Sequence, residues 1–547
     1  MYAPLKFKEK IDSKCLYIAF VKCRLTKKPH IARNAKKMKN ALKTFIAILS
    51  TSLAAAAAQT EKEDGAVKIG AQSAFKIGNC SVSNGVFKIS LPPNAKEKKA
   101  VVDFPVNLKK YGGKSLYFEA DVKAANVSKP DKKWNGIKFM LHFQHSKKKD
   151  KVWNSAKCDT GTFAWKRVSF NSSIPEGAKN ATLSIGLQDS TGTVEFKNIS
   201  YRVFEYEKIP LPENFKAEYS ARVKDMPQLR GFMCVPRYDK KHFEDMRALG
   251  ANLVRFQVSR GFKNIVKDTD IGVYDKWLDE KIAELKTALA KAEKLGLNIV
   301  VDMHTPPGGR YPEREFRMFH EEKYAKYFIE AWKKIARELK GYKAVWCYNL
   351  INEPYQTRPA KFDYLALQYE AAKAIREIDP DVPISIESNM ASSAETFSYL
   401  SPLPMKDIIY QFHMYHPGMY THQSVFDREP AKKGIFIDYP VNYNGKKIGK
   451  EELSDYMANV VKFQKKYGAR IYVGEFSAVR WAPNADLYLA DVIDIFEKHG
   501  WDWSYHAFRE FDGWDIEYAD EFGKKEKAKE DTKRKKVLAE ALKKNSR

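Results

Sequence analysis

Two runs of strand-forming residues in this chain end abruptly on a glutamate. One is Asn349-Leu350-Ile351-Asn352-Glu353-Pro354; the other, with its glutamate 122 residues further on, is Tyr472-Val473-Gly474-Glu475-Phe476. Two carboxylates at the ends of two buried strands are what hydrolysis of an acetal needs: one protonates the leaving oxygen, and the other attacks or stabilises the sugar cation. A lone glutamate after a strand usually only begins a surface loop. The chemical reading of this pair depends on the elements that carry it.

Those elements alternate. Apolar, strand-like runs occur at 229–235, 252–257, 298–303, 344–350, 383–388, 408–415, 470–476 and 501–508, with helical patterns at 279–296, 324–340, 363–379, 451–468 and 485–500 between them. Such alternation predicts an α/β fold, a (β/α)8 barrel over 228–547. Val537, Leu538, Ala541 and Leu542 recur at helical spacing, so the basic tail reads as the last barrel helix with a solvated outer face. In such barrels the reactive groups project from the C-terminal ends of the strands. There the second strand offers Arg255, the third Asp302 and His304, the fourth Asn352 and Glu353, the sixth His413 and Tyr415, and the seventh Glu475. His413 and Tyr415, two residues apart, share one face of their strand.

The stretch 59–205 has a different texture: short period-two segments such as Leu116–Val122, Ile137–Leu141, Lys166–Phe170 and Thr193–Phe196, separated by turn residues. An all-β antiparallel sandwich is expected there. Residues 206–227, with Pro210, Pro212 and Pro227 and little periodicity, read as a linker. Residues 1–58 read as a leader: Met38 looks like the true start, Lys39 and Lys43 precede an apolar run from Thr44 to Leu49, and Ala54–Ala58 offers a small-residue cleavage site. The run is too short for a comfortable membrane span, and export through a signal peptide is expected, with no span left after its removal.

The formal charge of +27 raises a nucleic-acid reading, but the two ends, 1–37 and 523–547, carry +9 and +7 of it. The remaining lysines are scattered over helix surfaces without interleaved aromatics, which argues against nucleic acid as a partner. Of the six cysteines, Cys15 and Cys23 fall in the leader, and Cys234 and Cys347 lie inside apolar strands as small buried hydrophobes. Cys80 and Cys158 share the sandwich, where they can pair or stay free; no spacing resembles a zinc site.

Taken together, Leu249-Gly250-Ala251-Asn252-Leu253-Val254-Arg255, Val301-Asp302-Met303-His304, Asn352-Glu353-Pro354, His413-Met414-Tyr415 and Gly474-Glu475-Phe476 make residues 229–515 resemble glycoside hydrolase family five, the cellulase family among retaining barrel glycosidases. The resemblance implies that Glu353 is the acid/base and Glu475 the nucleophile. It implies that Asn352 holds the sugar 2-hydroxyl, that Arg255 and Tyr415 orient Glu475, and that His304 and His413 line the subsite where the bond breaks. A nearby arginine keeps a carboxylate charged, whereas burial and the second glutamate should raise the acid's pKa. A retaining pair is expected to sit about 5–5.5 Å apart.

One position departs from the family pattern: where strand eight usually offers a tryptophan platform stands His506, so Trp503 or Trp514 is left to supply one. The latter half of the sandwich loosely resembles carbohydrate-binding modules, and Trp134, Trp153 and Trp165 either stack on sugar or serve as core and edge residues. The expected activity is therefore hydrolysis of a β-linked glucan or related hexose polysaccharide, endoglucanase-like, with no metal or organic cofactor. The alternatives are a mannanase or exo-glucanase of the same family, or a barrel that binds carbohydrate without cleaving it.

Overall fold

The computed structural model describes residues 60–61, 66–70, 80–132, 134–145, 151–261, 269–312, 314–443 and 445–546; the leader expected over 1–58 lies outside them. The chain divides into two compact units, Met1–Val203 and Phe204–Arg547.

In the first unit, antiparallel strands build two sheets. One runs in the order Lys99–Val106, Lys179–Gln188, Gly136–Gln144, Lys151–Ser155. The other joins Gly192–Phe204 to Val86–Leu91 and pairs Ser115–Val127 with Gly161–Ser173. The period-two pattern explains the core: Leu116, Phe118, Ala120 and Val122 point one way and meet Phe139, Leu141, Leu183, Ile185 and Phe196 in one apolar cluster. Trp134 and Trp153 are 72% and 56% exposed, so neither is a core residue. Trp165 is half-buried under the Lys197 ammonium, 4.3 Å from its ring. Cys158 is a free thiol, so its pairing with Cys80, left open by the sequence, is not made.

The second unit is a closed barrel of eight parallel strands. They are β1 (Arg230–Cys234), β2 (Leu253–Gln257), β3 (Asn298–Asp302), β4 (Val345–Asn349), β5 (Ile384–Glu387), β6 (Ile408–Met414), β7 (Arg470–Phe476) and β8 (Asp502–Phe508). Around them lie α1 (Lys240–Ala248), α2 (Ile271–Leu295), α3 (Glu322–Leu339), α4 (Tyr364–Arg376), α5 (Lys450–Tyr456), α6 (Ala458–Tyr467), α7 (Ala485–His499) and α8 (Lys533–Leu542). Side-chain caps set several helix starts: Asp239, Asp270, Asp363 and Thr532 accept from the first-turn amides of α1, α2, α4 and α8. Gly296 and Gly468, at φ 64° and 65°, end α2 and α6 in the left-handed region that a side chain resists. The pattern 451–468 splits at Met457; Leu453, Met457 and Val460 keep one apolar spacing across the break, so periodicity alone could not reveal it.

Alternation along each strand sorts the barrel interior into layers. At the N-terminal end Leu253, Val300, Trp346, Cys347, Ile409 and Tyr472 pack on one another. One step further along the same inward faces come Arg255, Asp302, Asn349, Glu387 and Gln411, all buried. An apolar floor thus carries a polar layer, and the chemistry lies above it.

The stretch 206–227 is no free linker. Tyr206 donates to the Gln356 carbonyl at 3.0 Å and stacks on Tyr399. Tyr219 donates to the Ile408 carbonyl at 3.1 Å, and Arg470 donates to the Pro227 carbonyl at 2.9 Å. The prolines sit in a strap that these hydrogen bonds tie to the barrel, which composition does not disclose.

Candidate active site

Arg255, inward on β2 and fully buried, is the hub. One terminal nitrogen donates to Glu475 Oε1, and the other reaches Asn349 Oδ1, Asn352 Oδ1 and Glu387 Oε1 at 2.9 Å each and Asp302 Oδ1 at 3.2 Å. A planar guanidinium suits this fan of acceptors. Glu475 also accepts from the Tyr415 hydroxyl at 2.9 Å, and His506 Nδ1 lies 3.1 Å from the same Oε2. Burial alone would push Glu475 up; His413, His506 and Arg255 outweigh it and hold the carboxyl well below the usual range.

Asn352 is fixed by its neighbours. Its oxygen must face the Arg255 donor, so its amide nitrogen faces His304 Nε2 at 3.3 Å, and His304 Nδ1 meets Asp302 at 2.8 Å. The His304 ring therefore carries its hydrogen on Nδ1. Glu353 follows directly, in the left-handed region at φ 49°. This strained backbone is clamped on both sides: its N–H donates to Glu387 Oε2 at 2.8 Å, and Arg310 donates to its carbonyl at 3.1 Å. His413 Nδ1 is 3.2 Å from Glu353 Oε1. An oxygen of each glutamate and a ring nitrogen of His413 lie within 4.8 Å of one another. That donor set has the types to hold a metal ion, but its hydrogen bonds to Arg255, Tyr415 and each other already account for its orientation.

The expected rise of the Glu353 pKa is not what the site produces. Burial and Glu475 do push it up, yet the hydrogen bond and charge of His413, together with Arg310, bring it below the ordinary value. His413 is itself raised, because Glu475, Glu387 and Glu353 outweigh its burial.

Of the residues singled out in the sequence, Arg255, His304, Asn352, Glu353, His413, Tyr415, Glu475 and His506 converge at the C-terminal ends of the strands, and all but Arg255 line one cleft of about 1100 Å³. Trp503 does not. Period two on β8 turns Ser504 and His506 inward and Trp503 outward, where it is fully buried against Phe476 and donates to Glu497 at 3.0 Å. Trp514 lines the cleft instead, stacked on Tyr415 with ring centres 5.6 Å apart.

Glu387 escaped sequence reasoning, although Ile384-Ser385-Ile386-Glu387 repeats the signature of a strand ending on glutamate. It is fully buried and joins both halves of the site: Arg255 on one oxygen, the Glu353 amide on the other, with Gln411 at 2.6 Å. Burial pushes its pKa up against His413 and Arg255. Glu387→Gln keeps the shape but turns an amide toward donors on one side. The expected result is a fall in kcat of about a hundredfold, the usual cost of a slightly misplaced catalytic group, with KM nearly constant. Steady-state kinetics beside a melting curve measure this; an unchanged kcat would show that Glu387 positions neither glutamate. Gly474 makes room for the same network, since a Cβ there would lie 2.2 Å from Gln411 Nε2.

Two carboxylates held close at the open end of a (β/α)8 barrel, one buried and braced as an anion, the other half-buried and hydrogen-bonded to a histidine, define a glycoside hydrolase. The chain belongs to the cellulase family: residues 218–512 match the family described as Cellulase (glycosyl hydrolase family 5). Among curated relatives, Endoglucanase C of Acetivibrio thermocellus is 25% identical over 292 residues, 49% of this chain and 83% of that protein. Cellodextrinase A of Ruminococcus flavefaciens is 26% identical over 250 residues, 43% of this chain and 69% of that protein. A solved structure of Thermotoga maritima Cel5A with cellobiose aligns at 23% identity and TM-score 0.43, covering 58% of this chain and 97% of that one. Among the described residues no helix is long and apolar enough to cross a membrane.

Proposed function

We propose that this glycoside hydrolase cleaves a β-linked glucan by double displacement with retention, Glu353 acting as acid/base and Glu475 as nucleophile. The observation that carries the reading is the close approach of the two carboxylates, an oxygen of one lying within 4.8 Å of an oxygen of the other. An inverting pair needs about 6.5–9.5 Å to admit a water. Glu475, charged and bonded through both oxygens, is prepared to attack; Glu353 takes the proton it shares with His413 and delivers it to the leaving oxygen. Asn352, its amide oriented by Arg255 and His304, is placed to hold a substrate hydroxyl. No metal or organic cofactor enters this scheme.

The relatives named endoglucanase and cellodextrinase support a glucan over a mannan. Export through the leader at 38–58 and carbohydrate binding by the sandwich, through the exposed Trp134 and Trp153, complete the proposal. The test is a panel of purified glucans, mannan and xyloglucan with product-length analysis and NMR of the first anomer formed. Short β-configured oligomers from glucan are expected. An α-anomer as first product would overturn retention, and exclusive mannan cleavage would overturn the substrate assignment.

A further inference from the structure

Strand β8 presents His506 where the family resemblance leads one to expect an apolar platform. Its Nδ1 lies 2.6 Å from the Tyr415 oxygen and 3.1 Å from Glu475 Oε2, and its Nε2 lies 3.1 Å from Glu510 Oε2. Glu475 Oε2, which faces Nδ1 directly, belongs to a carboxylate and can only accept. On the other side an ionised carboxylate can only accept. Both ring nitrogens therefore face acceptors, and only the doubly protonated ring satisfies both.

The surroundings favour that state. Glu475 on β7 and Glu510 in the loop after β8 flank the ring; Tyr415, just past β6, and Trp514 cover it. The other basic groups nearby are Arg255 on β2, already bonded to Glu475, His304 after β3, whose Nδ1 faces Asp302, and His422. Burial drives His422 down to about 4, so it does not compete for the proton. Burial lowers His506 as well, but Glu475 and Glu510 overcome this and push it up to about 10. Glu510 is lowered in turn, as His506 outweighs its burial.

We propose that His506 and Glu510 form a positioning unit for the nucleophile: an imidazolium, anchored by Glu510, that braces the Oε2 edge of Glu475 while Arg255 braces Oε1. The proposal rests on Glu475 as nucleophile. It also explains why the second acid is present. When Glu475 forms the glycosyl ester it loses its negative charge, and a buried imidazolium without another partner would be costly. Glu510 keeps the ring paired through both halves of the cycle, so Glu475 leaves the ester into the same cationic brace it came from.

The experiment is nitrogen-15 NMR of the histidine rings in the full chain against pH, with kcat/KM measured over the same range, for wild type and Glu510→Gln. The wild-type His506 ring is expected to be doubly protonated at neutral pH. In Glu510→Gln its titration should move down by at least about one pH unit, and the alkaline limb of kcat/KM with it, while the melting temperature stays near wild type. A singly protonated wild-type ring at neutral pH, or a titration and alkaline limb both unmoved by Glu510→Gln, would overturn the proposal. Should the variant not fold, the wild-type titration decides alone. The NMR readout needs no turnover: a protonated ring in a protein inert on every β-glucan keeps the pairing and sinks the functional reading, whereas active enzyme with a neutral ring does the reverse.

Discussion

Glu475→Ala is expected to abolish hydrolysis of every glycoside, activated or not, because it removes the nucleophile itself. Added azide should restore some turnover by entering the vacated space, giving the inverted α-glycosyl azide in a single displacement. Glu353→Ala should fail differently. On natural polymer, where the leaving alcohol needs a proton, the loss should be about 10²–10⁴-fold, the usual worth of a positioned general acid. An activated aryl glycoside needs little protonation, so its first step should survive and the covalent intermediate should accumulate. Azide attacks that intermediate without base help and should yield the β-azide. Product stereochemistry by NMR separates the two cases. The same azide anomer from both variants, or wild-type turnover on polymer by either, would show that the roles are assigned wrongly.

Much of this site was legible in the sequence because the barrel enforces a simple geometry. A strand that is apolar on both faces and ends in polar residues can present those residues only at one rim, so Arg255, His304, Glu353, His413 and Glu475 could be placed from strand order alone. What failed was face and distance. Trp503 and His506 differ by three positions, and period two puts them on opposite sides of β8; the aromatic character of Trp503 gave no hint of that. Glu387 carried the right signature but lies in a four-residue strand, and its role appears only when Arg255 and the Glu353 amide are seen on its two oxygens. Arg310 and Glu510 come from loops, whose course no periodicity predicts. The Glu353 pKa was misjudged because burial and one like charge were weighed without the His413 ring and the guanidinium of Arg310. The prolines of 206–227 mark a segment that cannot be helix or central strand, and this says nothing about whether it is bound.

Arg255 should be the least replaceable residue of the polar layer. Its guanidinium is shared by Glu475, Glu387, Asp302 and two asparagines in a space closed to water. Lysine offers one compact ammonium on a flexible stem and cannot serve acceptors spread across β3, β4, β5 and β7. Removing the charge altogether leaves several buried carboxylates uncompensated, a loss of about 3–5 kcal/mol. Arg255→Lys is therefore expected to lower kcat/KM at least about a hundredfold through misplacement of Glu475, and Arg255→Ala to melt far below wild type. The pH dependence has a definite sign. In wild type the Glu475 pKa is depressed, so its stabilisation is present above the unfolded value and lost as pH falls through the folded one. In Arg255→Ala the folded value of Glu475 rises toward the unfolded one, held down only by His413 and His506, so less stability is lost on acidification. That of Glu387, already raised, rises further, and its charged form opposes folding at neutral pH and ceases to do so once protonated. The gap in melting temperature between wild type and Arg255→Ala should thus be widest near neutrality and narrow on acidification. The acid limb of kcat/KM in Arg255→Lys should shift upward, as a single displaced ammonium holds the Glu475 proton off less well. A gap that widens toward acid pH would mean that Arg255 stabilises the fold by packing, not by charge.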